Sequence, residues 1–385
     1  MKVLHLITDL DVGGAEAMLA RLVAAMNRDR VDSTVVSLSD PGPIGDRIQQ
    51  SGIPVFTLGM KPGRINLASL PRLLRVLRRA RPNVIQTWLY HADLAGVVAG
   101  WFTGTPVVWN IRCAELDPRD HPGSLPVVLK ALAWLSRSPV AVVSNSTAGR
   151  RAHEALGYHP RHWEIIPNGF DLEKFRPRAD ARLALRKELG LAPDAWLVGL
   201  FARFHPMKDH DTFLRAAAIV ARTRPDARFV AAGRGVPGHA VLLERVRDLG
   251  IESQVSFLPE REDAPAFLAA LDVGVSSSYS EAFPNVIAEA MACGTPCVAT
   301  DVGDSAQIVG DAGVLVPPRN PDALAAGILR LLALDPAARD RLSREARERI
   351  RSKFSLPFVA AQYERLYSGI GSGRPAPWDS ASCAE

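Results

Sequence analysis

Short apolar runs along this 385-residue chain are repeatedly followed by longer stretches in which apolar residues recur every three or four positions. The runs have the length and β-branched content of buried strands, and the longer stretches have helical periodicity. In the first half, strands are expected over 3–8, 31–38, 55–58, 83–87, 107–111, 140–144 and 164–166. Helices are expected over 15–26, 44–51, 67–80, 91–103 and 125–136. The second half restarts the rhythm, with strands over 196–201, 228–232, 255–258, 273–276, 296–299 and 313–316. Helices are expected between them, notably over 210–223, 241–249 and 264–270, and then over 321–334, 337–352 and 354–368. Strand–helix alternation of this kind predicts an α/β fold with parallel sheets covered on both faces, here as two Rossmann-like halves.

Pro167, Asn168, Gly169, Phe170 and Asp171, followed by Phe175, Arg176 and Pro177, form a turn-rich stretch between the halves. The expected domains are 1–170 and 171–353, with a last helix at 354–368. The Gly-, Ser- and Pro-rich tail, 369–385, is expected to be disordered.

The length suits two domains, and 47% hydrophobic with 23% charged residues is an ordinary globular balance. Cys113, Cys293, Cys297 and Cys383 show no metal-ligand spacing and read as reduced thiols. The apolar run after Met1 and Lys2 meets Asp9 at once, so a strand is expected there and not a signal peptide. No uninterrupted apolar stretch reaches the roughly 20 residues of a transmembrane helix. The expected location is the cytoplasm.

Charge changes this picture. Through Phe175 there are 20 Lys and Arg against 15 Asp and Glu, and beyond it 26 against 26, so the whole net charge of +5 lies in the first half. A basic half suits an anionic partner such as an acidic lipid surface or a phosphorylated acceptor. Arginine enrichment on solvated helices is the competing reading. No nucleic-acid-binding motif is present, so nucleic acid is not expected as a partner. Arg72, Arg75, Arg78, Arg79 and Arg81 punctuate the Leu-rich 70–81 stretch. Such a helix either lies on an anionic bilayer, at the inner face of the membrane, or covers a sheet with a basic outer face. The apolar helix over 125–135 is a second candidate for docking near lipid.

The chemistry gathers at 279–297. Glu281 lies in a loop, Pro284 suits the first helical position, and Val286, Ile287, Ala290 and Met291 give the helix an apolar face. Gly294 is a C-cap candidate, and Pro296 ends the segment. The free amides at such a helix start form an anion site. Glu289 lies about a turn and a half inside the helix, so both carboxylates border one cleft. Phosphates on amides and hydroxyls on carboxylates fit a sugar nucleotide. An ordinary amphipathic helix with two surface carboxylates is the competing reading of the spacing alone.

This Glu281-x7-Glu289 pattern resembles the signature of the family 4 retaining GT-B glycosyltransferases, and the resemblance covers nearly the whole chain. It implies two Rossmann-like domains facing a central cleft, the first binding acceptor and the second the nucleotide sugar, with the last helix packing back on the first domain. By resemblance Glu281 faces the donor sugar and Glu289 holds the ribose hydroxyls, with Phe283, Asn285 and Val286 beside them. Arg203 and Lys208, after the first strand of the second half, resemble the family's diphosphate clamp. Departing diphosphate builds negative charge, and fixed cations there make a metal unnecessary. Catalytic roles therefore fall to Arg203, Lys208 and Glu281.

The turn at Gly13, Gly14 and Glu16 resembles the family's turn beside diphosphate and acceptor, with a plain tight turn as the alternative. Gly233 opens a GxGxxG match that follows the second strand of its half and carries Pro237 where a dinucleotide fingerprint expects helix; it reads as a loop lining the donor site. Asp9-x-Asp11 and Asp209-x-Asp211 are weak metal motifs, the second resembling a helix N-cap. Asn145, Ser146 and Thr147 form a glycosylation sequon that a cytosolic protein does not use. Many family members place a histidine after the strand corresponding to 107–111, where this chain has Arg112. His91 or Arg112 then serves the acceptor side, a satisfied structural histidine being the competing reading of His91.

The resulting expectation is a metal-independent, retaining hexosyltransferase without cofactor. Its donor is a UDP- or GDP-sugar, and its acceptor a saccharide or lipid-linked saccharide in polysaccharide or glycolipid assembly. The rivals are a nucleotide-sugar epimerase of the same fold and a non-catalytic membrane-associated scaffold.

Overall fold

The computed structural model describes residues 1–60, 69–114 and 124–371. Two compact units divide the chain: Met1–Gly169 with the segment from Leu356 onward, and Phe170–Ser355. The 372–385 part of the tail lies outside the described residues, as do Leu67 and Ala68 of the expected third helix.

The first unit runs β1 (Lys2–Ile7), α1 (Gly14–Ala25), β2 (Asp32–Ser37), α2 (Gly42–Gln50), β3 (Val55–Thr57), α3 (Leu70–Ala80), β4 (Val84–Trp88), α4 (Tyr90–Thr103), β5 (Val107–Ile111), α5 (Leu125–Leu135), β6 (Ala141–Ser144), α6 (Thr147–Ala155) and β7 (Trp163–Ile165). Its strands are parallel and ordered β3-β2-β1-β4-β5-β6-β7. Val3, Leu4, Leu6 and Ile7 of β1 are all buried, as a central strand covered on both faces requires.

The second unit runs α7 (Ala179–Glu188), β8 (Trp196–Phe201), α8 (His210–Thr223), β9 (Ala227–Ala232), α9 (Ala240–Asp248), β10 (Val255–Leu258), α10 (Ala264–Ala270), β11 (Val273–Ser276), α11 (Asn285–Ala292), β12 (Cys297–Thr300), α12 (Ser305–Val309), β13 (Val314–Val316), α13 (Pro321–Leu332) and α14 (Pro336–Phe354). Its parallel order is β10-β9-β8-β11-β12-β13. The last helix, α15 (Leu356–Gly371), belongs to the first unit, where Val359, Tyr363, Leu366 and Tyr367 join the core that α1 and β1 build. Each unit is a doubly wound α/β sheet, so the expected fold class holds.

Both sheets reverse strand order at one place, between β1 and β4 in the first unit and between β8 and β11 in the second. Ligands of open α/β sheets bind at the carboxyl ends of strands beside such a reversal.

Three helices depart from the sequence pattern. The buried face of α6 carries Gly149 and His153, and that of α7 carries Ala181, Leu185 and Arg186, so neither shows a clean apolar stripe. The third, α12, is a single short turn of five residues. The sequon is explained here: Ser146 caps α6 by accepting the Gly149 amide at 2.9 Å, and Asn145 is buried. Pro284 precedes α11 as its N-cap, with φ −74° and ψ 88°, and is not its first residue. The C-cap is Cys293, one residue ahead of the expected Gly294, whose φ of +78° ends the helix as its left-handed C′ residue.

Candidate active site

The candidate residues of the second unit collect around the β8/β11 reversal. The loop leaving β8 carries Arg203 and Lys208; the loop leaving β11 carries Glu281. Lys208 Nζ donates to Glu281 Oε1, both side chains being largely buried. Ser278 Oγ donates to the same carboxylate oxygen at 2.8 Å, and Ser277 Oγ donates to the Lys208 carbonyl at 2.9 Å. The Tyr279 amide donates to the Met207 carbonyl at 2.9 Å. The two loops are thus stitched together by backbone and side chains, which fixes the acid–cation pair. Arg203 is exposed, and its guanidinium has no partner among the described residues.

Two glycines make this packing possible. A Cβ on Gly233 would lie 2.1 Å from the Ala202 carbonyl oxygen, so only glycine lets the loop after β9 press against the peptide of Arg203. A Cβ on Gly303, at φ +58°, would lie 2.3 Å from the Glu281 carbonyl oxygen. The next residue, Asp304, donates its amide to the Ala282 carbonyl at 3.1 Å. Loops leaving β9 and β12 therefore brace the Arg203 and Glu281 backbones from opposite sides.

At the head of α11, Phe283 and Pro284 are buried, and the Phe283 ring packs on Phe170 and Phe354 at 6.3 and 5.8 Å. The Phe283 side chain is therefore a core residue. Asn285, Val286 and Glu289 are half-buried on α11, with Glu289 on the second turn. The loop 233–239 holds no helix before Ala240.

Both aspartates of the 209–211 motif have other partners. Asp209, at φ +46°, caps α8 by accepting the Thr212 amide at 3.1 Å and the Thr212 hydroxyl at 2.7 Å. Asp211 pairs with Arg215 at 2.7 Å and Arg245 at 2.5 Å. Among the described residues no three His, Cys, Asp or Glu side chains group as metal ligands.

In the first unit, Gly13 and Gly14 follow β1, His91 follows β4 and Arg112 follows β5, all at the carboxyl edge. The Glu16 carboxylate folds back over Gly13, where a Cβ would lie 2.1 Å from Glu16 Oε2. Burial, helped by Asp9 and Asp11 and opposed by Arg112, pushes the Glu16 carboxyl up to about 7. His91 exchanges a hydrogen bond with Ser124 Oγ at 2.9 Å, and burial holds its pKa below the ordinary histidine value. Leu89, just ahead of α4, holds φ 70° and ψ 157°, a region that only glycine occupies without strain.

Arg112 bonds Asn168, Asn110 and the Tyr363 hydroxyl and lies 5.2 Å over the Trp88 ring, tying β5 to α15. Ser277, Ser278 and Gly303 carry no signal of a role in the sequence, and Glu16 shows only as part of the Gly-Gly-x-Glu turn.

Known proteins with this pattern decide the family. Residues 12–174 match the family model described as Glycosyltransferase Family 4, and residues 195–334 match the one described as Glycosyl transferases group 1. The D-inositol 3-phosphate glycosyltransferase of Saccharomonospora viridis is 38% identical over 371 residues, 88% of this chain and 85% of that protein. The chain belongs to the family 4 glycosyltransferases. The protein of the same name from Rhodococcus erythropolis is 37% identical over 296 residues, 71% of this chain and 66% of that relative's length. Among solved structures, Anabaena HepE in complex with UDP shares 26% identity and a TM-score of 0.83, over 96% of this chain and 100% of that one. Membership of this family favours glycosyl transfer over the epimerase and scaffold readings.

Proposed function

We propose that this glycosyltransferase moves a hexose from a UDP-sugar to an acceptor hydroxyl, with retention of configuration and without a metal. The observation that carries the reading is the Lys208–Glu281 pair at the β8/β11 reversal, with Arg203, exposed and without a partner among the described residues, on the same loop as Lys208. Arg203 and Lys208 supply positive charge where the diphosphate departs. Amides at the head of α11 take phosphate oxygens, and Glu289 takes the ribose hydroxyls. Glu281 then faces the transferred sugar. The acceptor oxygen bonds to the anomeric carbon from the face that the diphosphate leaves. The bond from that carbon to the β-phosphate oxygen breaks, and the acceptor proton passes to a diphosphate oxygen. UDP is preferred over GDP because HepE, the similar structure above, holds UDP. The acceptor belongs to saccharide or glycolipid assembly.

Calorimetry with free UDP tests the division of roles. Glu289→Ala is expected to weaken UDP binding by about tenfold, the scale of one hydrogen-bonded partner. Glu281→Ala is expected to spare UDP binding and lower transfer. Equal losses of UDP affinity in both variants would sink this division. A thermal-shift panel of UDP-, GDP- and ADP-sugars checks the base.

Peripheral contact with an anionic membrane is the second part of the proposal. It is supported by α3, which buries Leu73 and Leu77 in the core and leaves Arg72, Arg75, Arg78 and Arg79 exposed. The outward stripe of α5 adds Val127 and Trp134, 68% and 84% exposed. Each arginine near an anionic leaflet contributes about 1 kcal/mol, and salt weakens it. Replacing Arg72, Arg75 and Arg79 with Gln is expected to release the protein from anionic vesicles while UDP binding stays intact. Wild-type protein that ignores such vesicles even at low salt would leave α3 as a sheet cover only. No helix of the described residues is long and apolar enough to cross a membrane.

A further inference from the structure

An apolar cavity of about 170 Å³ opens at the carboxyl edge of the first sheet. Leu38 and Leu58, the residues that follow β2 and β3, form its floor, Leu70 and Leu73 of α3 one wall, and Leu94 and Val98 of α4 the other. Ala95 lies between the last two, and all three residues on α4 are half-buried, as at a mouth. The polar members are Ser69 and His91, and His91 is already bonded to Ser124. Well-packed interiors hold few voids larger than a water molecule, and an apolar void costs stability. An apolar cavity of roughly 150 Å³ stays dry and takes up benzene. This one therefore has room for a six-carbon ring or a short alkyl segment. A sugar placed there would leave its hydroxyls facing leucine side chains, unpaired.

Its position gives the void a use. It lies at the carboxyl ends of β2 and β3, the edge at which ligands of open α/β sheets bind, and His91, which follows β4, stands on its wall. Cationic groups frame the outer side: Arg72 donates to the Leu58 carbonyl at 3.4 Å, and Arg75 is exposed about a turn further along α3. A hydrocarbon pocket beside arginine side chains matches a molecule that joins an apolar group to a polar, anionic one.

We propose that this cavity receives the hydrocarbon part of an amphiphilic acceptor, adjoining the portion whose hydroxyl takes the sugar. The inference rests on the first unit being the acceptor side of the proposed reaction, and it narrows the acceptor class. It sets the chain apart from an enzyme whose acceptor is polar throughout.

The test uses the full chain saturated with UDP and titrated with two probes, octyl β-D-glucoside below its micellar concentration and methyl β-D-glucoside. The octyl compound is expected to bind at least about tenfold more tightly, the factor that burying two methylenes supplies. Ala95→Phe fills the cavity and is expected to erase the difference. Val98→Thr keeps the shape, adds a hydroxyl and is expected to reduce the preference several-fold, which covers the case in which Ala95→Phe fails to fold. Free UDP affinity should be the same in wild type and both variants. Equal binding of the two glucosides to wild type, or a preference that survives both substitutions, would overturn the proposal and leave the cavity a packing void. Failure of the wild type to bind UDP would instead overturn the donor reading on which the proposal rests.

Discussion

Lys208→Ala is expected to lower kcat by about 10²-fold or more, and Arg203→Ala to do the same. That factor is the scale for removing one group that stabilises transition-state charge, about 2.7 kcal/mol. The two cations start from different states. Arg203 is exposed and unpartnered among the described residues, so its whole charge is available to the departing diphosphate. Lys208 is bonded to Glu281, and removing it leaves a largely buried carboxylate held, among the described residues, by Ser278. A loss in Lys208→Ala therefore has two possible sources, and adding Lys208→Ala to a Glu281→Ala background separates them. If the orphaned carboxylate were the cause, Lys208→Ala would cost nothing further in that background. With Lys208 acting on the diphosphate, it is expected to cost about 10²-fold there as well. Fixed cations make added metal unnecessary, so EDTA is expected to change turnover little. Strict dependence on Mg²⁺ or Mn²⁺ would overturn the metal-free reading.

Much of this arrangement was legible because it depends on residues that must follow strands. Strand runs such as 196–201 and 273–276 are apolar on both faces, so their ends, and the polar residues just past them, stand out. That places Arg203, Lys208 and Glu281 at one edge of one sheet before any coordinates. What the sequence hides is the contact between loops. Ser277 and Ser278 look like ordinary turn residues until the fold brings Lys208 against them. Gly303 reads as one glycine among 29, and its need appears only when Glu281's carbonyl is found against it. Phe283, a motif position, has its ring buried in the core against Phe170 and Phe354, which leaves its backbone as the part that could serve a ligand. Periodicity does not show the helices α6 and α7, because their buried faces carry histidine and arginine, which it counts as polar. Burial of such groups depends on partners far along the chain.

Asp272→Ala is expected to destabilise the second unit by about 3–5 kcal/mol, the largest stability effect of any single change proposed for this chain. Asp272 and Arg186 are 3% and 1% exposed in their side chains, and Arg186 Nη2 donates to Asp272 Oδ2 at 2.5 Å. Arg182 donates to the other carboxylate oxygen, and the Leu197 amide donates to Oδ2 at 2.8 Å. Arg186 is further held by the carbonyls of Ala195, Arg182 and Ala270 at 3.0–3.1 Å. The carboxylate thus joins α7 to the amino ends of β8 and β11. Truncating it leaves a buried guanidinium without its counter-charge and a buried amide without its acceptor, each of which costs free energy. For a unit of this size the expected fall in Tm is roughly 6–20 °C. Asp272→Asn, which keeps an acceptor for the Leu197 amide and loses the charge, is expected to fall between the two. The pair lies at the amino ends of the strands, whereas Lys208 and Glu281 lie at the carboxyl ends. In the folded protein at low temperature, UDP affinity should therefore be unchanged. A loss below about 1 kcal/mol would show that Arg186 finds water or another acceptor, and that the pair is not what holds α7 in place.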